Sequence, residues 1–240
     1  MTKKVKRILK IVVGVIVFFT LPTLLLYGFV YFKYNEELPI GTQGEQADAL
    51  AIKMLDALNY EAYKNTNYIE WTFKKRRHYE WQKDKNTCLV YWEDYKVELN
   101  QNAPAESKAF VHSFRVHDEK ADELIKTALS YFNNDSFWLV APYKVFDKGA
   151  ERSVVTTKNG EEALLVTYTT GGSTPGDSYL WYFKDNGKPK SFRMWVDILP
   201  IGGLEASWSN WTTTESGAQL PTFHKMLLFG LEIDHIIGRE

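Results

Sequence analysis

Five histidines, one cysteine and one glycine-rich stretch are the places where this chain of 240 residues could carry chemistry. His78, His112, His117, His224 and His235 form no HExxH pair, and no Cys/His cluster has the spacing that holds zinc. His112 and His235 fall on alternating apolar runs, which predicts structural, hydrogen-bonded rings rather than general bases. Cys88 stands beside Leu89 and Val90 with no nucleophile motif around it. It reads as a small buried hydrophobe, and as the lone cysteine it leaves no intrachain disulfide. The stretch Gly171-Gly-Ser-Thr-Pro-Gly-Asp177 lacks the Lys-Ser/Thr of a phosphate loop and the GxSxG of a nucleophile elbow, so it reads as a long hairpin loop. These residues predict no catalytic group, no metal and no cofactor.

What the chain holds in excess is rings: 8 Trp, 14 Tyr and 14 Phe. Their chemistry is burial, the binding of apolar surface without any bond being made. An antiparallel sheet covered on one face by helices either fills its concave side with such rings or leaves a greasy cavity there. The predicted lining is Trp71, Phe73, Trp81, Trp92, Trp181 and Trp195, with Trp208 and Trp211 as further candidates. Phe192, Met194, Val196 and Ile198 share one face of a predicted strand while Trp195 takes the other, as a sheet with two apolar surfaces requires.

The elements that must position these rings follow from period. Thr42 and Glu45 make a capping box ahead of Ala47, Leu50, Ala51, Met54, Leu55 and Leu58, one apolar helical face. A second helix is predicted from Asp118, with Ala121, Leu124, Ile125, Ala128, Leu129 and Phe132 as its stripe and Asn133-Asn134 as its stop. Alternation predicts about three strands before that helix, one being the single run Phe110, His112, Phe114, Val116. About six more follow it, including runs over 190–199 and 205–213. Asn159-Gly160 and Asn186-Gly187 between alternating runs predict hairpins on type I′ turns. The fold class expected is α+β, a curved antiparallel sheet with covering helices.

Residues 11–32 contain no charge, and roughly 20 apolar residues suffice for a helix to cross the hydrocarbon core. The run exceeds the roughly 7–15 residues of a cleaved signal, and no small-x-small site follows it. It therefore reads as an uncleaved transmembrane helix. Lys3, Lys4, Lys6, Arg7 and Lys10 precede it, which places residues 1–10 in the cytoplasm. Residues 33–44 read as a linker and 45–240 as one periplasmic or extracellular domain. With the five leading cations set aside, 24 basic side chains face 30 acidic ones. That excess of negative charge argues against nucleic acid as a partner.

The stretch Gly176-Asp-Ser-Tyr-Leu-Trp-Tyr-Phe-Lys-Asp-Asn-Gly-Lys-Pro189, with the closing run Trp211, Glu215 to Pro221 and Ile233 to Ile237, resembles the bacterial outer-membrane lipoprotein carriers, the LolA/LolB-like superfamily. The resemblance covers roughly 45–237. It implies an unclosed β-barrel with helices over its mouth and a hydrophobic cavity for acyl chains. It also implies an arginine on an early strand that holds the lid, a role for which Arg76 and Arg77 are placed. The retained membrane helix departs from the carriers, one set of which travels free and the other is held by lipid on a cysteine. The expectation is a stationary binding module for a lipid, lipoprotein or other apolar ligand. Its alternative is an envelope interaction or scaffolding domain with a packed core, its partners other envelope proteins.

Overall fold

The computed structural model of the chain describes residues 2–171 and 174–240, so Gly172 and Ser173 of the glycine-rich stretch lie outside it. Helix α1 (Lys3–Tyr34) runs through Pro22 and buries none of its side chains. Thr20 and Thr23 donate to the carbonyls of Ile16 and Phe19 on either side of that proline. The helix is long and apolar enough to cross a membrane.

Helices α2 (Glu45–Ala57) and α3 (Tyr60–Asn65) come next. Strands β1 (Tyr68–Phe73), β2 (Arg77–Gln82), β3 (Thr87–Trp92), β4 (Tyr95–Asn100), β5 (Lys108–Val111) and β6 (Phe114–Val116) follow, then the long helix α4 (Asp118–Val140). The last strands are β7 (Ala150–Thr156), β8 (Glu162–Tyr168), β9 (Ser178–Phe183), β10 (Pro189–Trp195), β11 (Leu204–Ser207), β12 (Ser209–Thr213), β13 (Gln219–Met226) and β14 (Phe229–Arg239).

All strands join one antiparallel sheet in the order β6-β5-β4-β3-β2-β1-β14-β13-β11-β10-β9-β8-β7, with β12 on β13. The first and last strands therefore pair in its middle, Tyr68 opposite Arg239 and Phe73 opposite Ile233. The sheet curves but does not close: β6 and β7 are its free edges, and α4 is the chain that joins them. Helices α2 and α4 bury Ala51, Met54, Leu124, Ala128 and Phe132 in the same core as Trp71 and Trp181.

The predicted class stands, but several elements differ. Six strands, not three, precede α4, because their turns carry no Asn-Gly. Lys74, Lys75, Glu93, His112 and Ser113 take positive φ between 47° and 71° without glycine. The run from 110 to 116 is the hairpin β5–β6 turning on His112-Ser113, so His112 is exposed, its Nδ1 3.5 Å from Asp94. His235 is also exposed, at positive φ, where the β1–β14 register slips between Glu70 and Thr72. Neither sits on an apolar face.

Helix α4 ignores the Asn133-Asn134 stop and continues to Val140, since Asp135, Ser136, Leu139 and Val140 are buried there. Tertiary burial outweighs the weak helix preference of asparagine. Thr42 does not cap α2; Gly44 precedes that helix, and Thr42 instead exchanges backbone bonds of 2.9 and 2.8 Å with Val154. Strand β10 stops at Trp195, leaving Ile198 in an exposed loop, and the run 205–213 divides into β11 and β12. The hairpins at Asn159-Gly160 and Asn186-Gly187 form where expected. In each the glycine alone takes positive φ, and each loop spans five residues rather than a two-residue turn.

The antiparallel register sorts the connections onto two rims. One rim carries loops 74–76, 93–94, 112–113, 196–203 and 227–228; the other carries 83–86, 157–161, 184–188 and 214–218. The chain enters the domain at the first rim. Glu36 donates its amide to the carbonyl of Gly202 (2.9 Å), and Gly202 donates to Asn35 Oδ1 (2.9 Å). Residues 36–42 then run as a strap to the free edge of β7. That added backbone pairing protects an otherwise open strand.

Candidate functional site: an aromatic core under α4

Alternation in β1, β2 and β3 sends Trp71, Phe73, Tyr79, Trp81, Cys88, Val90 and Trp92 to the buried side of the sheet. Trp71 and Phe73 are 0% and 2% exposed. Trp71 stacks on Tyr79 with ring centroids 4.5 Å apart, and Trp81 meets Phe132 of α4 edge-on at 5.3 Å. Trp92 meets Tyr131 of α4 at 5.7 Å. In the other half of the sheet Trp181 lies 5.0 Å from both Phe192 and Trp208. Trp138 of α4 covers Phe192 at 5.5 Å.

Five of the six predicted lining residues thus sit in one continuous core. Trp195 does not join them. It is half-buried on the opposite face with Leu165 and Leu180, and its indole N–H donates to the Glu36 carbonyl (2.8 Å). Two surface clefts lie outside this core. One of about 380 Å³ runs along Asp177, Trp195 and Leu199 to Gly202, and one of about 260 Å³ separates Pro104 from Ile125 and Leu129 of α4.

One polar point pins the covering helix. Arg77 reaches across from β2 and places Nε 2.7 Å from Asp135 Oδ2 and Nη2 3.1 Å from Oδ1. Tyr79 donates its hydroxyl to the same carboxylate at 2.6 Å, and Asn134 donates its amide at 2.7 Å. The guanidinium lies over the rings of Phe73 and Tyr131, at 5.1 and 4.3 Å. Burial outweighs these partners and leaves the Asp135 carboxyl above the usual carboxylate range. Arg77 is therefore the early-strand arginine that meets the covering helix, while Arg76 points to solvent in the turn.

Asp135 and Tyr79 were not among the residues predicted. The signal for Asp135 existed: Ala128, Phe132, Asp135 and Leu139 step by 4, 3 and 4 residues along a helical face. The Asn-Asn pair hid it by suggesting that the helix had already ended.

No family model matches this chain, and no curated protein matches it. Among solved structures, a crystal structure of a domain described as an outer membrane lipoprotein-sorting protein from Vibrio parahaemolyticus is similar at 9% identity. The match covers 79% of this chain and 93% of that one, with a TM-score of 0.37. So loose a superposition carries no residue role from one to the other.

The core's own polar atoms say more. The indole N–H groups of Trp71, Trp81, Trp181 and Trp208 are buried with no hydrogen-bond acceptor among the described residues. Buried donors normally find a partner, and each one left over costs about 1–3 kcal/mol. Among the described residues no group of three or more His, Cys, Asp or Glu is placed to hold a metal ion. What this arrangement presents is a packed aromatic core that holds scattered hydrogen-bond donors without acceptors.

Proposed function

We propose that the protein is a membrane-anchored extracytoplasmic binding module, with α1 as the anchor and the aromatic core under α4 as the site for a lipid, lipoprotein or other apolar ligand. The observation that carries this reading is the set of unpartnered indole N–H groups inside the aromatic core. Ester or amide carbonyls on an acyl ligand are acceptors of the right kind for donors in such surroundings. On this reading Trp71, Phe73, Trp81, Trp92 and Trp181 of the buried core would contact the ligand, while Trp195 secures the strap on the opposite face.

The test is native mass spectrometry of the purified full chain released from detergent, paired with displacement of a hydrophobic dye by phospholipid. Co-purifying lipid that exchanges with the dye is the expected result. A second reading, an interaction or scaffolding domain with a filled core, draws on the close ring contacts of Trp71, Tyr79 and Phe132. A lipid-free mass, no dye uptake, and crosslinking to a defined envelope protein would establish it instead.

A further inference from the structure

The two rims of the sheet differ in kind. The far rim is made of polar loops at 83–86, 157–161, 184–188 and 214–218, and its turns contain Asn159-Gly160, Asn186-Gly187 and Ser216-Gly217. The rim where α1 enters carries Phe114 (78% exposed), Ile198 (71%), Leu228 (93%) and Phe229 (71%). Outside α1, the strap and one side chain each on α2 and the loop after α4, these four are the large apolar residues left exposed among the described residues. None lies on the far rim.

The β13–β14 turn is the sharpest case. Leu227 holds φ at 51°, a conformation that costs an ordinary L-residue roughly 1–2 kcal/mol, where asparagine or glycine would be cheap. Leu228 and Phe229 beside it are largely exposed. In water this choice gains nothing, and all four exposed apolar side chains lie on the one rim from which α1 leaves.

The position of α1 says what covers it. The helix ends at Tyr34, and the amide of Glu36 is already bonded to Gly202 on this rim. Two residues span at most about 7 Å. If α1 crosses a bilayer, as proposed above, the Gly202 loop of this rim is held within that distance of its surface, and the rest of the rim is at the same end of the sheet. The basic loop at Lys74, Lys75 and Arg76 is offset by Glu93, Asp94 and Asp197 on the same rim, so charge does not select the surface. We infer that the rim bearing Phe114, Ile198, Leu228 and Phe229 is seated in the bilayer interface, its apolar side chains inserted beside the anchor, so that the domain stands on the membrane with the core's α1 end against it.

The test uses the full chain with Cys88→Ala, reconstituted in neutral phosphatidylcholine vesicles. Single cysteines at Phe114, Ile198 and Leu228, at Lys85, Asn159 and Asn186, and at Phe19 carry an environment-sensitive fluorophore. Nitroxide-bearing lipids serve as quenchers. The expected result is blue-shifted, lipid-quenched emission at 114, 198 and 228, with none at 85, 159 and 186. Rim labels as wet as the far-rim labels, alongside a quenched Phe19 label, overturn the seating and leave the anchor standing. Rim labels that are dry but not quenched by lipid overturn it in favour of a protein cover. Quenching at the rim without quenching at Phe19 upholds the seating and overturns the anchor, and quenching at neither overturns both.

Discussion

His224 is fully buried, its Nδ1 donating to the Ser207 carbonyl at 2.9 Å and its ring held between Trp208 and Trp138. Burial pushes its pKa down to about 4, against 6.5 for a free histidine. As pH falls, the unfolded chain therefore takes up this proton first. Stability from this group is complete above pH 6.5 and is lost progressively towards pH 4, by up to about 3 kcal/mol. Urea unfolding of the full chain in micelles at pH 7 and pH 5 should show about 2 kcal/mol of that loss. A His224→Gln variant should be weaker at pH 7 yet nearly flat over the same window, and equal slopes for the two proteins would refute the assignment. Asp135 presents the opposite balance. Its carboxyl is raised despite Arg77 and Tyr79, so the pair contributes position more than net stability.

At the level of elements, legibility followed local chemistry. The α2 stripe, the start of α4 and the Asn-Gly hairpins were readable because propensity, period and turn residues agreed. Strands β2 and β3 were not, although their residues alternate well, because Lys74-Lys75 and Glu93-Asp94 turn the chain with residues that carry no turn signature. The aromatic residues could be picked out as a group, but only the pairing of β1 with β14 shows that Trp71 and Trp181 share one core. The strap was equally hidden, since bonds from Glu36 to Gly202, Trp195 and Arg193 depend on partners more than 150 residues away. Its closest approach is at Gly41, where an added Cβ would stand 2.6 Å from Ser153 Cβ and 3.0 Å from the Val154 carbonyl. Gly41→Val should therefore peel the strap from β7. Limited proteolysis should cut within 37–44 and the exposed strand edge should promote association, while the far-UV spectrum stays unchanged. A variant that resists protease as the parent does would show that the strap tolerates the side chain.

For the molecule as a whole, the topology separates what is held together from what can open. Every neighbouring strand pair is antiparallel, the chain ends are locked by β1–β14, and the free edges β6 and β7 are joined only through α4. Lifting α4 breaks no ladder bond of the sheet. It breaks the core packing of Leu124, Phe132 and Leu139, the ring contacts and the Arg77–Asp135–Tyr79 cluster, and on the function proposed above this helix is where a ligand would enter. Cys88 reports on that motion. It is 2% exposed on the covered face of β3, and burial raises its thiol well above the ordinary range, so it is inert while the helix is down. Arg77→Ala strands the Asp135 carboxylate, and removing one member of a buried pair costs about 3–5 kcal/mol. If about 3 kcal/mol of that favours the lifted helix, thiol labelling of Cys88 should accelerate by roughly a hundredfold, at about 1.4 kcal/mol per factor of ten. Uptake of the hydrophobic dye should accelerate with it. The dependence on urea separates lifting from unfolding, because a step exposing only part of the core has a shallower slope than global unfolding. Labelling that accelerates with the full slope of global unfolding would mean that Arg77 stabilises the fold without latching a lid. Labelling at the parent rate would mean that α4 does not open at this point at all.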